Sequence, residues 1–241
     1  MKHLNNIGSA DLKLLKEIYK DNFSYAEEKL NQNYPIQYLI GYVDFYDCKI
    51  NVDERVLIPR FETELLVHET LKVIKNKNYQ NGIDICTGSG AIAIAMAKTL
   101  KIKMTACDIS DDALNLAKIN AKNNNTPIDF FKIDILHEEV QGKYDFIISN
   151  PPYVKPNEYT SKETKWEPKI ALYANHFGLE FYEAILKFAP NILNKGGTIA
   201  FEIGATEAED IKKIALTYFP NAKITVKKDF NNFDRFLFIE N

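Results

Sequence analysis

Cysteine, arginine and tryptophan are all scarce in this chain of 241 residues. Cys48, Cys86 and Cys107 are odd in number and scattered without metal-ligand spacing, which argues against a disulfide framework and a structural zinc site. They read as reduced core thiols, and Cys86 and Cys107, each at the end of an expected strand, can be neighbours. No metal site is expected. No apolar run approaches the ~20 residues that a bilayer span needs, and Met1-Lys2-His3-Leu4-Asn5-Asn6 has no signal-peptide core. The expected setting is therefore the cytoplasm, with no membrane partner. A net charge of −3 and a pI near 5.9 argue against a protein whose affinity comes from neutralising many phosphates. Internal repeats and low-complexity tracts are also lacking.

What is present is ordinary globular material, 46% hydrophobic and 26% charged, enough for one large core with an appendage. Before Pro35 the spacing of Leu12, Leu14, Leu15, Ile18 and Tyr19 predicts one helix, and Tyr25, Ala26 and Leu30 predict a second, short one. Between Gln37 and Val56 the partial alternation through Val43, Phe45, Tyr46, Cys48, Ile50 and Val52 predicts a β-hairpin. The segment Leu57 to Glu64 then runs into a helix through Leu65, Leu66, Val67, Leu71, Val73 and Ile74. The polar stretch Lys75 to Asn81 suggests a boundary. Residues 1–78 are thus expected to form a helical cap plus hairpin, a candidate docking region, and residues 79–241 the main domain.

After Gly82 strands and helices alternate. Expected strands are Ile83–Cys86, Met104–Asp108, Asp129–Ile133, Tyr144–Ser149, Thr198–Ile203, Lys223–Lys228 and Phe236–Ile239. Expected helices are Ala91–Leu100, Asp111–Asn123, Gly178–Ala189 and Glu207–Tyr218. This alternation implies right-handed crossovers and an α/β fold, a doubly wound, seven-stranded, mostly parallel sheet of Rossmann-like kind with an antiparallel edge hairpin.

Two loops in this frame carry chemistry. Ser149-Asn150-Pro151-Pro152-Tyr153 follows the apolar run Tyr144 to Ile148 and so sits at a strand's carboxyl end, the edge where open α/β sheets bind ligands. Neither proline has an N–H, and Asn150 is pushed to extended geometry by the proline after it. Its side-chain carbonyl and the loop carbonyls form acceptors matched to one planar NH2 group, and Tyr153 offers an aromatic face. An ordinary strand-terminating Asn-Pro turn is the plainer reading. The second loop, Cys86-Thr87-Gly88-Ser89-Gly90, is a glycine turn between strand and helix. It lacks both the third glycine of the dinucleotide fingerprint, where Ala93 stands, and a P-loop lysine. Asp108 ends the next strand, about twenty residues on, where a carboxylate can accept the hydroxyls of a ribose. Asp134 ends the strand after and can accept from an adenine amino group. Either aspartate alone can be a plain cap; the pair beside a glycine turn favours an adenosyl ligand without a pyrophosphate.

With these residues in place the chain resembles the class I S-adenosylmethionine-dependent methyltransferases. More closely, Gln37-Tyr38-Leu39-Ile40-Gly41, Leu57 to Glu64, Asp84 to Gly90, Asn150 to Tyr153, Trp166-Glu167-Pro168 with Ala171-Leu172, and Glu202-Ile203-Gly204 together are similar to the PrmC/HemK family. That resemblance implies a fold of the class I kind and methylation of the glutamine side-chain amide in the Gly-Gly-Gln motif of peptide chain release factors. It implies S-adenosylmethionine as cofactor, S-adenosylhomocysteine as product, a release factor as protein partner, and no direct nucleic-acid binding. Carried across by position, Cys86, Thr87, Gly88, Ser89 and Gly90 would line the methionine end of the cofactor. Asp108 would hold the ribose, Asp134 and Ile135 would flank the adenine, and Asn150, Pro151, Pro152 and Tyr153 would receive the glutamine, with Asn150 also touching the cofactor.

This chain departs from the family pattern at three places. Cys86 stands where glycine is common, Phe177 where aspartate usually precedes Gly178-Leu179, and the helical N-terminus is short. Arg60 is expected to orient its loop through Glu62 or Glu64, to contact the partner, or to form a plain structural ion pair, and Trp166 to cover the site or anchor packing. The rival readings are an adenine N6-methyltransferase on DNA or RNA and a non-catalytic S-adenosylmethionine-binding partner protein.

Overall fold

The computed structural model describes residues 8–158 and 160–241; the expectation drawn from Met1 to Asn6 lies outside them. Three short helices come first, α1 (Ser9–Tyr19), α2 (Phe23–Asn31) and α3 (Ile36–Ile40), followed by the hairpin β1 (Tyr42–Phe45) and β2 (Cys48–Asn51) and by α4 (Phe61–Ile74). The repeating unit then runs β3 (Asn81–Ile85), α5 (Ala91–Leu100), β4 (Lys103–Asp108), α6 (Asp111–Asn123), β5 (Ile128–Lys132) and β6 (Tyr144–Ser149). A long connection with three single-turn helices leads to α7 (Glu180–Ile192), β7 (Leu193–Glu202), α8 (Ala208–Tyr218), β8 (Lys223–Lys228) and β9 (Asp234–Glu240). Among the described residues no helix is long and apolar enough to cross a membrane.

The seven strands of the main sheet lie in the order β5-β4-β3-β6-β7-β9-β8. The first five pair in parallel, and β9 inserts antiparallel between β7 and β8. The expected doubly wound sheet with an antiparallel edge is therefore the fold observed. Its central strands are buried on both faces: Ile83, Ile85, Phe146, Ile147, Ile148, Ile199 and Phe201 are all fully enclosed. Helix α6 begins where Ser110 Oγ accepts the N–H of Ala113 at 3.2 Å, with Asp111 and Asp112 in the first turn favoured by the helix dipole.

Several boundaries differ from expectation by a residue or two, and three differences have plain physical reasons. The hairpin starts only at Tyr42, because Ile36–Ile40 forms one helical turn after Pro35 and ends at Gly41 with φ 87°. Helix α7 continues past Pro190 to Ile192, since a proline in the last turn removes only one backbone bond. Strand β7 starts at Leu193, earlier than expected, because the glycine-rich Asn194 to Gly197 stretch is absorbed at a shift in register against β6.

Helices α1 to α3 enclose a small core of Leu15, Ala26, Leu30 and Leu39. The hairpin and α4 share the main core instead: Phe45, Ile50, Leu66 and Val67 pack in one cluster with Ala95, Phe146 and Phe238. Asn120 of α6 and Asn124, which caps that helix, hold the hairpin edge as a strand would. Asn120 accepts from Asn51 N–H at 2.9 Å and donates to Asn51 O at 3.0 Å, and Asn124 pairs in the same way with Lys49 at 3.2 and 2.8 Å.

Candidate active site

The order of the strands reverses between β3 and β6, and the loops leaving the carboxyl ends of β3, β4, β6 and β7 meet there. The first loop turns through Cys86-Thr87-Gly88-Ser89-Gly90 into α5. Thr87 N–H donates to Cys107 O at 3.0 Å and Gly90 N–H to Thr87 O at 2.9 Å, which closes the turn and sets Cys86 beside Cys107. Gly88 has φ 53°, and a β carbon built there would meet nothing within 4 Å, so the backbone itself faces open space. Cys86 also takes a left-handed φ of 62°, where the resemblance marks glycine as common; a side chain in that conformation costs roughly 1–2 kcal/mol.

Asp108, at the end of β4, ties the two neighbouring turns together. Its Oδ2 accepts Gly88 N–H at 2.8 Å and its Oδ1 accepts Ser110 N–H at 3.0 Å. With the Ile109 N–H as a third donor, the carboxylate still keeps acceptor capacity. Burial raises the Asp108 pKa above the ordinary carboxylate value, with the N–H donors of Ser110, Gly88 and Ile109 opposing it. Asp134 lies beyond the end of β5 and spends both oxygens on its own turn, accepting Leu136 N–H at 3.1 Å and meeting His137 Nδ1 at 2.8 Å. Ile135 beside it is buried.

Cys86, Thr87, Gly88, Ser89, Asp108, Asp134, Ile135 and Asn150 all line one cavity, which holds about 1110 Å³ including its mouth. Gly90, by contrast, caps α5 and does not line it. Leu57, Ile109, Pro168 and Ile170 add an apolar wall that no local motif in the sequence marks. A second cavity of about 960 Å³ opens beside it, lined by Arg60, Asn150, Pro151, Pro152, Tyr153 and Glu202 among others. The two cavities share Leu57, Asn150, Pro152 and Ala171. Asn150 and Pro152 thus stand at the junction.

The Asn150 side chain is held from behind. Its Nδ2 donates to Thr63 Oγ1 at 3.0 Å, and Thr63 in the first turn of α4 donates to Glu202 Oε2 at 2.7 Å. Tyr153 OH donates to Glu202 Oε1 at 3.2 Å. Glu202 ends β7, is 1% exposed, and burial pushes its carboxyl up to about 7, against the lowering effects of the Thr63 donor, the Arg235 charge and the Tyr153 donor. The same burial raises the Tyr153 hydroxyl well above the ordinary tyrosine range, so it stays a donor. Behind Tyr153 sits Gly178 with φ 88°, where a β carbon would come within 2.6 Å of Tyr153 O. That close approach is kept although Phe177, 83% exposed, replaces the usual aspartate.

Arg60 reaches neither Glu62 nor Glu64 as expected. It pairs with Glu167, whose other oxygen accepts Ile58 N–H at 3.3 Å. The Glu167 side chain is 1% exposed, so this contact pins the Pro59-Arg60 segment to the connection that walls both cavities. Trp166 next to it packs edge-on to Tyr34 at 5.1 Å and donates to Gln32 O at 3.4 Å, joining that connection to the N-terminal helices. Thr63, Glu167 and Glu202 lie inside segments the sequence reading singled out, yet pattern and spacing assigned them no role.

Residues 62–167 match the family model described as a methyltransferase small domain. Among solved structures, a methyltransferase from Pyrococcus furiosus superposes with a TM-score of 0.62 at 19% identity, covering 90% of this chain and 98% of that one. The catalytic domain of human METTL16, solved with an RNA hairpin, gives 0.63 at 20%, covering 81% and 76%; both likenesses speak to the fold alone. Sheet order, glycine turn and the carboxylates that follow β4 and β5 define a class I, S-adenosylmethionine-dependent methyltransferase. The chain is 37% identical to the release factor glutamine methyltransferase of Lactococcus lactis, over 97% of this chain and 84% of that protein. It is 40% identical to the one from Streptococcus pneumoniae, over 84% and 73%. It belongs to the release factor glutamine methyltransferase family.

Proposed function

We propose that this protein transfers a methyl group to the side-chain amide nitrogen of the glutamine in the Gly-Gly-Gln motif of peptide chain release factors, with the residues in the following roles. The first cavity fits an adenosyl cofactor. Its floor is backbone at Gly88, its acids are Asp108 at the end of β4 and Asp134 two residues past the end of β5, and its walls are apolar. Asp108 would accept from the ribose hydroxyls with its remaining lone pairs. Because the Asp134 oxygens already serve a turn, its contribution to the adenine is the lone pairs left on that side, with Ile135 packing on the ring. S-adenosylmethionine supplies an electrophilic methyl on a sulfonium and leaves as S-adenosylhomocysteine.

The observation that carries the reading is the bond from Asn150 Nδ2 to Thr63. It commits the donor end of the Asn150 amide to the protein interior and leaves its carbonyl end, with the proline-loop carbonyls, for an incoming NH2 group. An amide nitrogen is a poor nucleophile because its lone pair is delocalised. Acceptors taking both of its N–H bonds aim the lone pair and stabilise the positive charge that grows on nitrogen. No strong base is needed, since the methylated amide cation loses its proton readily.

The partner would dock on the outer side of the same edge, along the N-terminal helices, the hairpin and the Pro59 to Glu64 segment. Phe61, 58% exposed, stacks on Phe230 of the β8–β9 turn at 5.9 Å between ring centres, and Phe233 of that turn is also open to solvent. Incubation with labelled cofactor tests the proposal. A bacterial release factor should take up label, and its Gly-Gly-Gln glutamine-to-alanine variant and adenine-bearing oligonucleotides should not. Label on the oligonucleotide alone would overturn it.

A further inference from the structure

The buried carboxylate behind the proline loop has no place in the chemistry described above. Glu202 contacts neither cavity's reacting space through a free oxygen: Oε2 is occupied by Thr63 and Oε1 by Tyr153. A buried acid with two hydroxyl donors and, among the described residues, no cation in direct contact is an expensive way to end a strand. Its arrangement has a direction, however. A threonine hydroxyl carries a single proton, and here that proton is given to Glu202 at 2.7 Å, so toward Asn150 the same oxygen can only accept. The Asn150 amide must then present Nδ2 to Thr63, as it does at 3.0 Å, and turn its oxygen the other way. If the proton ran in the opposite sense, the hydroxyl would offer itself to Asn150 Oδ1 and the amide would be free to face about.

We propose that Glu202 and Thr63 are positioning residues for methyl transfer, an oriented relay in which the carboxylate, through the threonine hydroxyl, fixes which end of the Asn150 amide faces the substrate. The inference rests on the reading of Asn150 as the acceptor of the substrate amide. An ionised Glu202 can only accept and enforces the direction. A protonated Glu202 can donate to Thr63 and releases it. The groups facing this carboxylate are Thr63 and Glu62 from α4, Tyr153 from the proline loop, and Arg235 from β9, while Tyr182 of α7 donates to its main-chain oxygen at 2.7 Å. Arg235 and the two hydroxyl donors favour the ionised form, and Glu62 and burial oppose it. Turnover is accordingly expected to rise as the pH passes through about 7.

The test uses the full chain with a Gly-Gly-Gln-bearing release factor in single turnover, and calorimetry for the cofactor. Thr63→Val keeps the shape and deletes the hydroxyl; transfer should fall roughly 10–100-fold, the scale of a misaligned reacting group, with cofactor affinity and KM for the factor within about threefold. Thr63→Ser should restore transfer to within about threefold. Thr63→Val combined with Glu202→Gln should be no slower than the slower single variant, since both break one relay. The parent's pH inflection near neutrality should vanish in Glu202→Gln. A Thr63→Val enzyme as fast as the parent, strictly additive losses, or a parent profile flat from pH 6 to 8 would each overturn the relay. Where Thr63→Val does not fold, the Thr63→Ser rate and the parent profile still decide. Asn150→Ala, run alongside, separates the two ideas: if it is impaired while Thr63→Val is not, only the relay fails; if it transfers like the parent, the acceptor reading falls with it.

Discussion

Asn150 and Thr63 are 87 residues apart in sequence and 3.0 Å apart in the fold, joined by a hydrogen bond in which the asparagine is the donor. The contact links the end of β6 to the first turn of α4. Two segments without intrinsic partners, a proline loop and a helix start, thereby fix each other's geometry.

The ribose assignment predicts a binding defect. Asp108→Ala should weaken S-adenosylmethionine binding by roughly 1.5–3 kcal/mol, the range for losing hydrogen bonds to a charged group. Because Asp108 also holds the Gly88 and Ser110 amides, Asp108→Asn is the cleaner variant. Its amide can accept with one atom only, so calorimetry should place it between the parent and Asp108→Ala. Unchanged affinity in both would remove the assignment.

Glu167 should matter for stability more than its position in a loop suggests. Removing it leaves the Ile58 N–H without its acceptor and Arg60 without its partner. Glu167→Ala is expected to lower stability to urea by about 1–3 kcal/mol. Arg60→Ala should lose less, because the Arg60 side chain is 36% exposed and its partner keeps the Ile58 bond. Equal midpoints for the two variants and the parent would show that the segment is held by packing alone.

Stability should fall as pH rises through the acid range. Burial raises Asp84 and Glu202 to about 7 each from ordinary values near 4. Between about pH 4 and pH 7 the native state retains protons that the unfolded chain has lost, so rising pH favours unfolding there. The stabilisation is complete below that window and gone above it. Each group contributes on the order of 3–4 kcal/mol at most. Urea midpoints at pH 5 and pH 8 should differ less in Glu202→Gln than in the parent. An unchanged difference would mean that Glu202 is ionised throughout. The same group then favours folding when protonated and transfer when ionised, a familiar opposition between stability and function.

Phe61 tests the docking surface. Phe61→Ala should raise KM for a release factor roughly tenfold with kcat little changed, the scale of an aromatic anchor at an interface. No change in KM, with the fold intact, would place the partner elsewhere.

The alternating frame was legible because a buried parallel strand reads as a continuous apolar run, as in β6, and an edge strand as an alternating one, as in β8; both strands and helices α5 and α6 have the expected ends. Helix α3 was not, since five residues give no helical period, and the glycines near the start of β7 resemble a turn. For the site, Asn150 to Tyr153, the glycine turn and Asp108 could be found because each is a local motif at a strand end. The residues that hold them could not. Glu202 meets Thr63 across 139 residues and Arg60 meets Glu167 across 107, and no spacing rule reaches that far. Arg60 shows the limit: of its open roles the structural ion pair is the one found, but a distant, buried acid took the contact in place of the local acids at 62 and 64.

The central claim is that Asn150 acts on the substrate amide after the cofactor is bound, and Asn150→Ala tests it most directly. The variant leaves both prolines and the glycine turn in place, so calorimetry should show S-adenosylmethionine binding within a few-fold of the parent. Single-turnover transfer to a Gly-Gly-Gln-bearing release factor should fall by ~10²–10³, the scale of losing one preorganised electrostatic contact. Asn150→Asp should be strongly impaired as well and no worse than alanine, because it can still accept an N–H but no longer donates to Thr63. Transfer within tenfold of the parent in Asn150→Ala, with the fold intact, would contradict the account.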